Sequence, residues 1–103
     1  MEWTYVSTDD DWRGGAAMRF LFNTNADYEL HVCTRRIGEN FEPIEPVVLA
    51  LLCLTEDHYD EKGNYIITDT RVIGEKELRV GDNLNAADIA KAKAWANTAI
   101  EEE

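Results

Sequence analysis

The sequence predicts one α+β domain, in which a curved antiparallel sheet of about five or six strands has a single C-terminal helix packed against it. Two β-prone runs, residues 47–59 and 64–73, flank a turn sequence in the middle of the chain. Several earlier segments alternate apolar and polar residues, which is the period of a half-buried strand. Only residues 86–100 have apolar side chains at helical spacing. Strands followed by one helix are typical of the α+β class, and 103 residues correspond to one domain, 1–103.

The first three strands are predicted at residues 2–7, 16–23 and 28–37. In the second strand Met18, Phe20 and Phe22 share one face, which we expect to point into the core. The third strand alternates in the same way, with two opposite faces formed by Leu30, Val32 and Thr34 and by His31, Cys33 and Arg35. A short connection makes these two strands a hairpin. Residues 8–15, with three aspartates and two glycines, are expected to form a loop.

An acidic connector is predicted between the third and fourth strands, over residues 38–46. Pro43 and Pro46 exclude a helix, because each proline moves the preceding residue into the extended region. Glu39, Glu42 and Glu45 recur every three residues, the period of a polyproline II helix. In that conformation the three carboxylates lie in a row, about 9 Å apart. The other interpretation is an extended, solvated connector whose glutamates have no common role.

The central hairpin consists of the predicted strands 47–59 and 64–73. Residues 60–64 have the composition of a hairpin turn, in which Gly63 supplies a positive φ without steric cost. Tyr59 and Tyr65 flank this turn, where aromatic cross-strand pairs often occur. An alternative is a helix that begins at Pro46, since proline is common at the first helical position.

The last quarter of the chain is predicted to contain a turn, a brief edge strand at residues 77–80 and the helix 86–100. Asn85 is the expected N-cap, and Asp88 three residues later completes a capping box. The apolar stripe of the helix is alanine-rich, with Trp95 as its bulky member; it consists of Ile89, Ala92, Trp95, Ala96, Ala99 and Ile100. A helix with so many alanines can lie close to a sheet.

The charge is the main compositional outlier. Twenty-one acidic and ten basic residues give a net charge of −11 and an isoelectric point near 4.5. This balance argues against direct binding of nucleic acid or of an anionic membrane surface, since both require positive charge. Thirteen of the 21 acids fall in four short segments, namely residues 9–11, 39–45, 56–61 and 101–103. If two of these segments meet in space, they form a face suited to a basic partner.

No motif in the sequence indicates catalysis, a cofactor or a metal site. The spacing from Asp9 resembles a calcium loop at first, but Arg13 and Phe20 occupy positions that need oxygen ligands. His31 and Cys33 share a strand face, yet a zinc site normally needs a second close pair of ligands. The two cysteines, Cys33 and Cys53, are expected to be reduced and buried. We therefore expect a protein that is not an enzyme and that has no cofactor.

The leading hypothesis is a small acidic protein-binding module, an inhibitor that docks on a basic protein or nucleoprotein complex. Its nucleic-acid-mimic form would occupy the nucleic-acid channel of such a partner, as phage-encoded anti-defence proteins do. The residues expected to bind the partner are Glu39, Glu42, Glu45, Asp57, Asp60 and Glu61, with Trp12, Phe41 and Tyr59 as apolar anchors. The N-terminal residues have neither a basic region nor an apolar run, so we expect a cytoplasmic protein without a membrane segment, monomeric or homodimeric.

Two other hypotheses come from different classes of function. The first is a ligand-binding or accessory subunit domain with a pocket between sheet and helix, lined by Trp3, Phe20, Phe22 and Trp95. The second is a homo-oligomeric structural protein joined through its apolar central strands.

Overall fold

A computed structural model describes residues 2–11, 15–38 and 40–102 and contains five antiparallel strands and one helix. The elements are β1 (Trp3–Asp11), β2 (Gly15–Phe22), β3 (Tyr28–Ile37), β4 (Pro43–Tyr59), β5 (Tyr65–Val80) and α1 (Ala86–Glu101). Each strand pairs with its neighbour in the chain, so the sheet order is β1-β2-β3-β4-β5. The sheet is not closed, and α1 packs on one of its faces. The predicted fold class is therefore confirmed, with five strands.

The core lies between α1 and the face of the sheet that bears the aromatic side of β2. Its largest fully buried side chains in this layer are Leu30 and Leu52. Ala92 and Ala96 of α1 are completely buried in the same cluster, because their small side chains let the helix axis approach the strands. Trp95 lies over the backbone of Gly74. The predicted alanine-rich stripe is thus the packing face of the helix. Hereafter this is the helix side of the sheet, and the opposite face is the helix-free side.

The start of α1 is fixed as the sequence predicts. The side chain of Asn85 accepts a hydrogen bond from the Asp88 backbone N–H at 2.9 Å, and the Asp88 carboxylate accepts one from the Asn85 N–H at 3.2 Å. The same carboxylate, only 1% exposed, accepts two further hydrogen bonds from Arg79 of β5, at 2.9 and 2.8 Å. The capping box therefore also ties the helix to the edge strand.

The predictions for β1 and its loop are corrected by the structure. β1 does not end at residue 7 but continues to Asp11, which pairs with Gly15, and Asp9 pairs with Ala17. Within the expected loop 8–15, residues 8–11 and 15 are thus strand, and residues 12–14 lie outside the described residues. An aspartate-rich segment has low strand propensity, but β2 offers it an edge with which its backbone can form hydrogen bonds, and this tertiary pairing outweighs the propensity.

The polyproline II row predicted for residues 39–45 is also corrected. β4 begins at Pro43, which pairs with Ile37, so Glu45 belongs to a strand rather than to a polyproline connector. Glu39 lies outside the described residues. Proline is tolerated here because it occupies the first residue of the strand and because pairing with β5 begins only at Val47.

β5 is one long strand, whereas the sequence predicted two strands, 64–73 and 77–80, separated at Gly74. Three residues of β5 have no counterpart in β4, and each of them forms a β-bulge: Ile66, Ile73 and Leu78. A bulge lets a strand accommodate an extra residue and bend without ending. Ile73 and Leu78 both pack against the core. The bulges therefore keep β5 continuous through Gly74 and turn two apolar side chains toward α1.

The central hairpin extends beyond the rest of the sheet. Pairing between β3 and β4 ends with Tyr28 opposite Leu54, and the Thr55 N–H donates to the carbonyl of Asp27. From there to the turn, β4 and β5 pair only with each other. We call residues 56–69 the arm. Five strand residues span roughly 17 Å, so the arm is a two-stranded ribbon of about that length beyond the sheet.

Candidate protein-binding site

The turn at the end of the arm is held by one carboxylate. Asp60 accepts hydrogen bonds from the backbone N–H groups of Lys62 and Asn64 at 2.9 and 2.8 Å, and from the Asn64 side chain at 3.3 Å. The Asn64 backbone hydrogen bond is the main reason that the pKa of Asp60 is lowered from its usual value. Gly63 has φ of 83°, as the turn prediction required. Asp60 therefore stabilises the turn and keeps its negative charge at the tip.

The helix-free side of the arm is a ladder of paired polar groups. Thr68 donates to Asp57 at 2.5 Å, and the Tyr65 hydroxyl is 2.8 Å from the Thr68 hydroxyl. The rings of Tyr59 and Tyr65 meet edge to face with centroids 6.1 Å apart, which confirms the predicted cross-strand aromatic pair. Polar and aromatic groups on this side thus contact one another across the two strands.

The helix side of the arm combines charged and apolar side chains. Glu56 lies opposite Asp69 and accepts a hydrogen bond from Arg71 at 3.0 Å. Ile67 lies opposite His58, and both Ile67 and the bulged Ile66 are more than half exposed. Because residues 57–72 are all exposed, this side of the ribbon faces solvent even though it continues the face that α1 covers.

The structure gathers some of the predicted binding residues and separates others. Asp57, Tyr59, Asp60 and Glu61 all belong to the arm or its turn. Glu45 lies near the opposite end of β4, 12 positions before Asp57. At about 3.3 Å per strand residue this is roughly 40 Å along the strand.

The second group of predicted residues lies at the turn between β3 and β4, with Glu42 and Phe41 next to Glu45. Phe41 is 72% exposed and has φ of 63°, a left-handed backbone conformation that is uncommon for a bulky residue. Trp12 and Glu39, also predicted as binding residues, lie outside the described residues. The sequence-predicted site is therefore two separate regions, one near each end of β4.

Sequence reasoning missed Ile66 and Ile67 as candidate binding residues. The signal was present in the run Tyr65–Ile66–Ile67 after the turn, but an apolar pair inside a strand is normally assigned to the core. Their exposure follows from the end of β3 at Tyr28, which leaves this part of β5 without a layer to cover it.

A polar cluster on the helix-free side lies at the root of the arm. Glu29 accepts hydrogen bonds from Arg19 at 2.6 and 3.2 Å and from Thr55 at 3.3 Å, and His31 lies 3.6 Å away. Burial tends to raise the pKa of Glu29, but Arg19 outweighs it and the pKa is lowered. Burial lowers the pKa of His31, with Glu29 opposing the effect. The cluster thus consists of an ion pair beside a neutral imidazole, and Thr55 connects it to the arm.

The pocket proposed between sheet and helix is filled by its own lining. Trp3 and Phe20 are buried in the core, and the ring of Trp3 lies 4.8 Å from that of Phe22. A cleft at the edge of this region has a volume of about 140 Å³ and is lined by Glu2, Trp3, Lys93 and Asn97. Ligand pockets usually enclose about 300–1,000 Å³, so this cleft is small for an organic ligand.

Comparison with protein-family models gave no match, and neither did searches of the curated proteins and of the solved structures.

Within the part of the chain that the structure describes, no helix has the length and apolar character needed to cross a membrane. Among the same residues, histidine, cysteine, aspartate and glutamate side chains form no group of three or more arranged to hold a metal ion. Cys33 and Cys53 are buried, as expected, and neither is part of a disulfide.

Proposed function

We propose that the protein is a small acidic protein-binding module that docks on a basic partner through the arm. The observation that supports this is the gathering of Asp57, Tyr59, Asp60 and Glu61 on a ribbon whose two sides are both open to solvent. A two-stranded ribbon by itself is marginally stable in water. An exposed ribbon with large apolar side chains therefore resembles a binding element more than a stabilising one.

The charge of the arm favours a basic partner. Residues 56–69 contain five acids and one lysine. Nucleic-acid-handling proteins are the partner class with the most concentrated positive charge, because they neutralise phosphates with lysine and arginine. An acidic ribbon bound in the nucleic-acid channel of such a protein blocks the nucleic acid by occupying its place. This is the inhibitor, or nucleic-acid-mimic, function expected from the sequence, and anti-defence proteins are one biological setting for it.

A second candidate is a homo-oligomer joined through the helix-free side. β4 is apolar on both faces, and on this side it contributes the partly exposed Val47 and Leu51 beside Leu49 and Cys53, which are already buried within one chain. Strands with two apolar faces are typical of sheets that are covered on both sides. Light scattering of the purified protein distinguishes this candidate, since a stable dimer at micromolar concentration supports it and a monomer excludes it.

The test of the proposed function compares two variants of equal charge. The arm variant is Glu61→Lys with Asp69→Lys, and the control at the opposite end of β4 is Glu42→Lys with Glu45→Lys. Each reversal changes the charge by two, so two reversals take −11 to −7 in both variants. The tagged proteins are used to capture partners from nuclease-treated host lysate, with washes at low and high salt.

We expect the wild type and the control variant to retain a basic partner at low salt and to lose it at high salt, and the arm variant to retain none. Salt sensitivity follows from screening of exposed charges. If only the control variant failed to retain the partner, the binding site would be at Glu42 and Glu45 instead of the arm. Equal retention by all three proteins, or no stoichiometric partner, would refute docking through acidic residues. Circular dichroism confirms that each variant is folded.

A further inference from the structure

The two sides of the arm differ in what their large side chains contact. On the helix-free side, Tyr59 and Tyr65 are 58% and 59% exposed, but their rings pack against each other. On the helix side, Ile66 and Ile67 are 60% and 56% exposed, and Ile67 lies opposite the polar His58 instead of an apolar residue. The aliphatic surface of the helix side therefore lacks the apolar cross-strand contact that the tyrosines have.

The bulge accounts for this arrangement. Ile66 is the extra residue of β5 between Tyr65 and Ile67. The two other bulged residues of the strand, Ile73 and Leu78, both turn toward the helix side, where the core covers them. Ile66 has the equivalent position beyond the end of the core, so the same local geometry places it beside Ile67 without a cover.

Charge decides which occupant fits this surface. Glu56 and Asp69 flank the isoleucines on the helix side, where Arg71 lies 3.0 Å from Glu56 and His58 lies 4.0 Å from Asp69. The turn adds Asp60 and Glu61, so the acids outnumber the bases on this end of the arm. A second copy of the chain would bring a net charge of −11 to this acidic surface. A basic protein brings the complementary charge, and long lysine and arginine side chains can surround an apolar slot.

We propose that the arm binds its basic partner with its helix side, inserting Ile66 and Ile67 into an apolar slot that basic residues surround. This rests on the proposed function and identifies the recognition face of the same site. The partner then lies on the same side of the sheet as α1. Tyr65, on the other side of the ribbon, keeps the hairpin in shape through its ring contact with Tyr59.

Two synthetic peptides of equal charge test the proposal. The first is an amphipathic peptide of lysine and leucine, and the second has serine in place of each leucine. Binding to the full-length protein is measured by titration calorimetry at low salt. The matched variants are Ile66→Thr with Ile67→Thr on the helix side and Tyr65→Thr on the helix-free side, since threonine keeps a high strand propensity. Two-dimensional amide NMR spectra confirm that the arm stays folded in each variant.

We expect the wild type and Tyr65→Thr to bind the leucine peptide about tenfold more tightly than the serine peptide, because apolar burial adds to the charge interaction. The double isoleucine variant should bind both peptides equally. Equal binding of the two peptides by the wild type, or a preference lost in Tyr65→Thr and kept in the isoleucine variant, overturns this proposal only. If neither peptide binds the wild type, the proposed function itself fails as well.

Discussion

Gly74 and Gly63 lie on the same strand–turn–strand unit but should respond to alanine with opposite signs. At Gly74 an added Cβ meets two ring atoms of Trp95 at 3.4 and 3.5 Å and the Cβ of Leu52 at 3.8 Å, which are ordinary contact distances. At Gly63 an added Cβ meets no atom within 4 Å, but φ is +83°. Steric space favours both substitutions, and backbone conformation favours only the first.

The magnitudes follow from these two environments. Gly74→Ala removes the conformational cost of a glycine within a strand, roughly 0.5–1 kcal/mol, and adds one methyl group to a half-buried site. We expect the free energy of unfolding to rise by about 1 kcal/mol. Gly63→Ala forces an L-residue into the left-handed region, which costs roughly 1–2 kcal/mol. Gly74→Val is a third variant, whose extra methyl groups press on Trp95, and overpacking of this kind typically costs about 1–3 kcal/mol.

The assay is urea unfolding followed by tryptophan fluorescence, with the midpoint and slope fitted for each variant. The expected order of stability is Gly74→Ala, wild type, then Gly63→Ala and Gly74→Val. If Gly74→Ala were less stable than the wild type by more than 1 kcal/mol, the close but unstrained fit of Trp95 over β5 would be wrong. If Gly63→Ala were neutral, the left-handed turn would be wrong.

Two further predictions concern titratable groups. The hydrogen bonds from Arg79 lower the pKa of Asp88, so the stability that this carboxylate contributes is complete above about pH 4 and is lost as the pH falls through its folded pKa. In thermal unfolding, Asp88→Asn should therefore be less stable than the wild type at pH 6, and the difference should shrink toward pH 2. A difference that stays constant with pH would contradict this. Burial, with a smaller contribution from Glu29, raises the pKa of Cys53 to about 11. This thiol should therefore react slowly with a disulfide reagent at pH 8 in the native protein and rapidly in urea. Fast native labelling of Cys53 would show that the helix-free side is open.

The elements governed by local signals were predictable from the sequence. The Asn85 cap, the alanine stripe of α1 and the Gly63 turn each depend on residues close together in the chain, and all three are confirmed. The alternation in β2 also identified the buried face, with Phe20 inside. In these cases a periodic pattern or a conformational preference is enough to determine the structure.

The extent of the strands was not predictable in this way. Asp11 and Pro43 both belong to strands despite unfavourable propensity, because a neighbouring strand pairs with them. Gly74 interrupts the apolar pattern without interrupting β5, because bulges on either side of it absorb extra residues. Such pairing joins residues that are distant in the sequence, and a pattern along a single strand does not contain it.

The candidate site also combines properties set by local sequence with properties set by strand pairing. The sequence by itself determined the acidic composition, the hairpin and the chemical character of Asp57, Asp60 and Glu61, because charge and turn preference are properties of the residues. Only the tertiary structure decided that Glu45 lies far from them and that Ile66 and Ile67 are exposed. The first result depends on β4 being one continuous strand from Pro43, which pairs with Ile37, to Tyr59, and the second depends on where β3 stops pairing with β4. Both are relations between strands that no single segment determines.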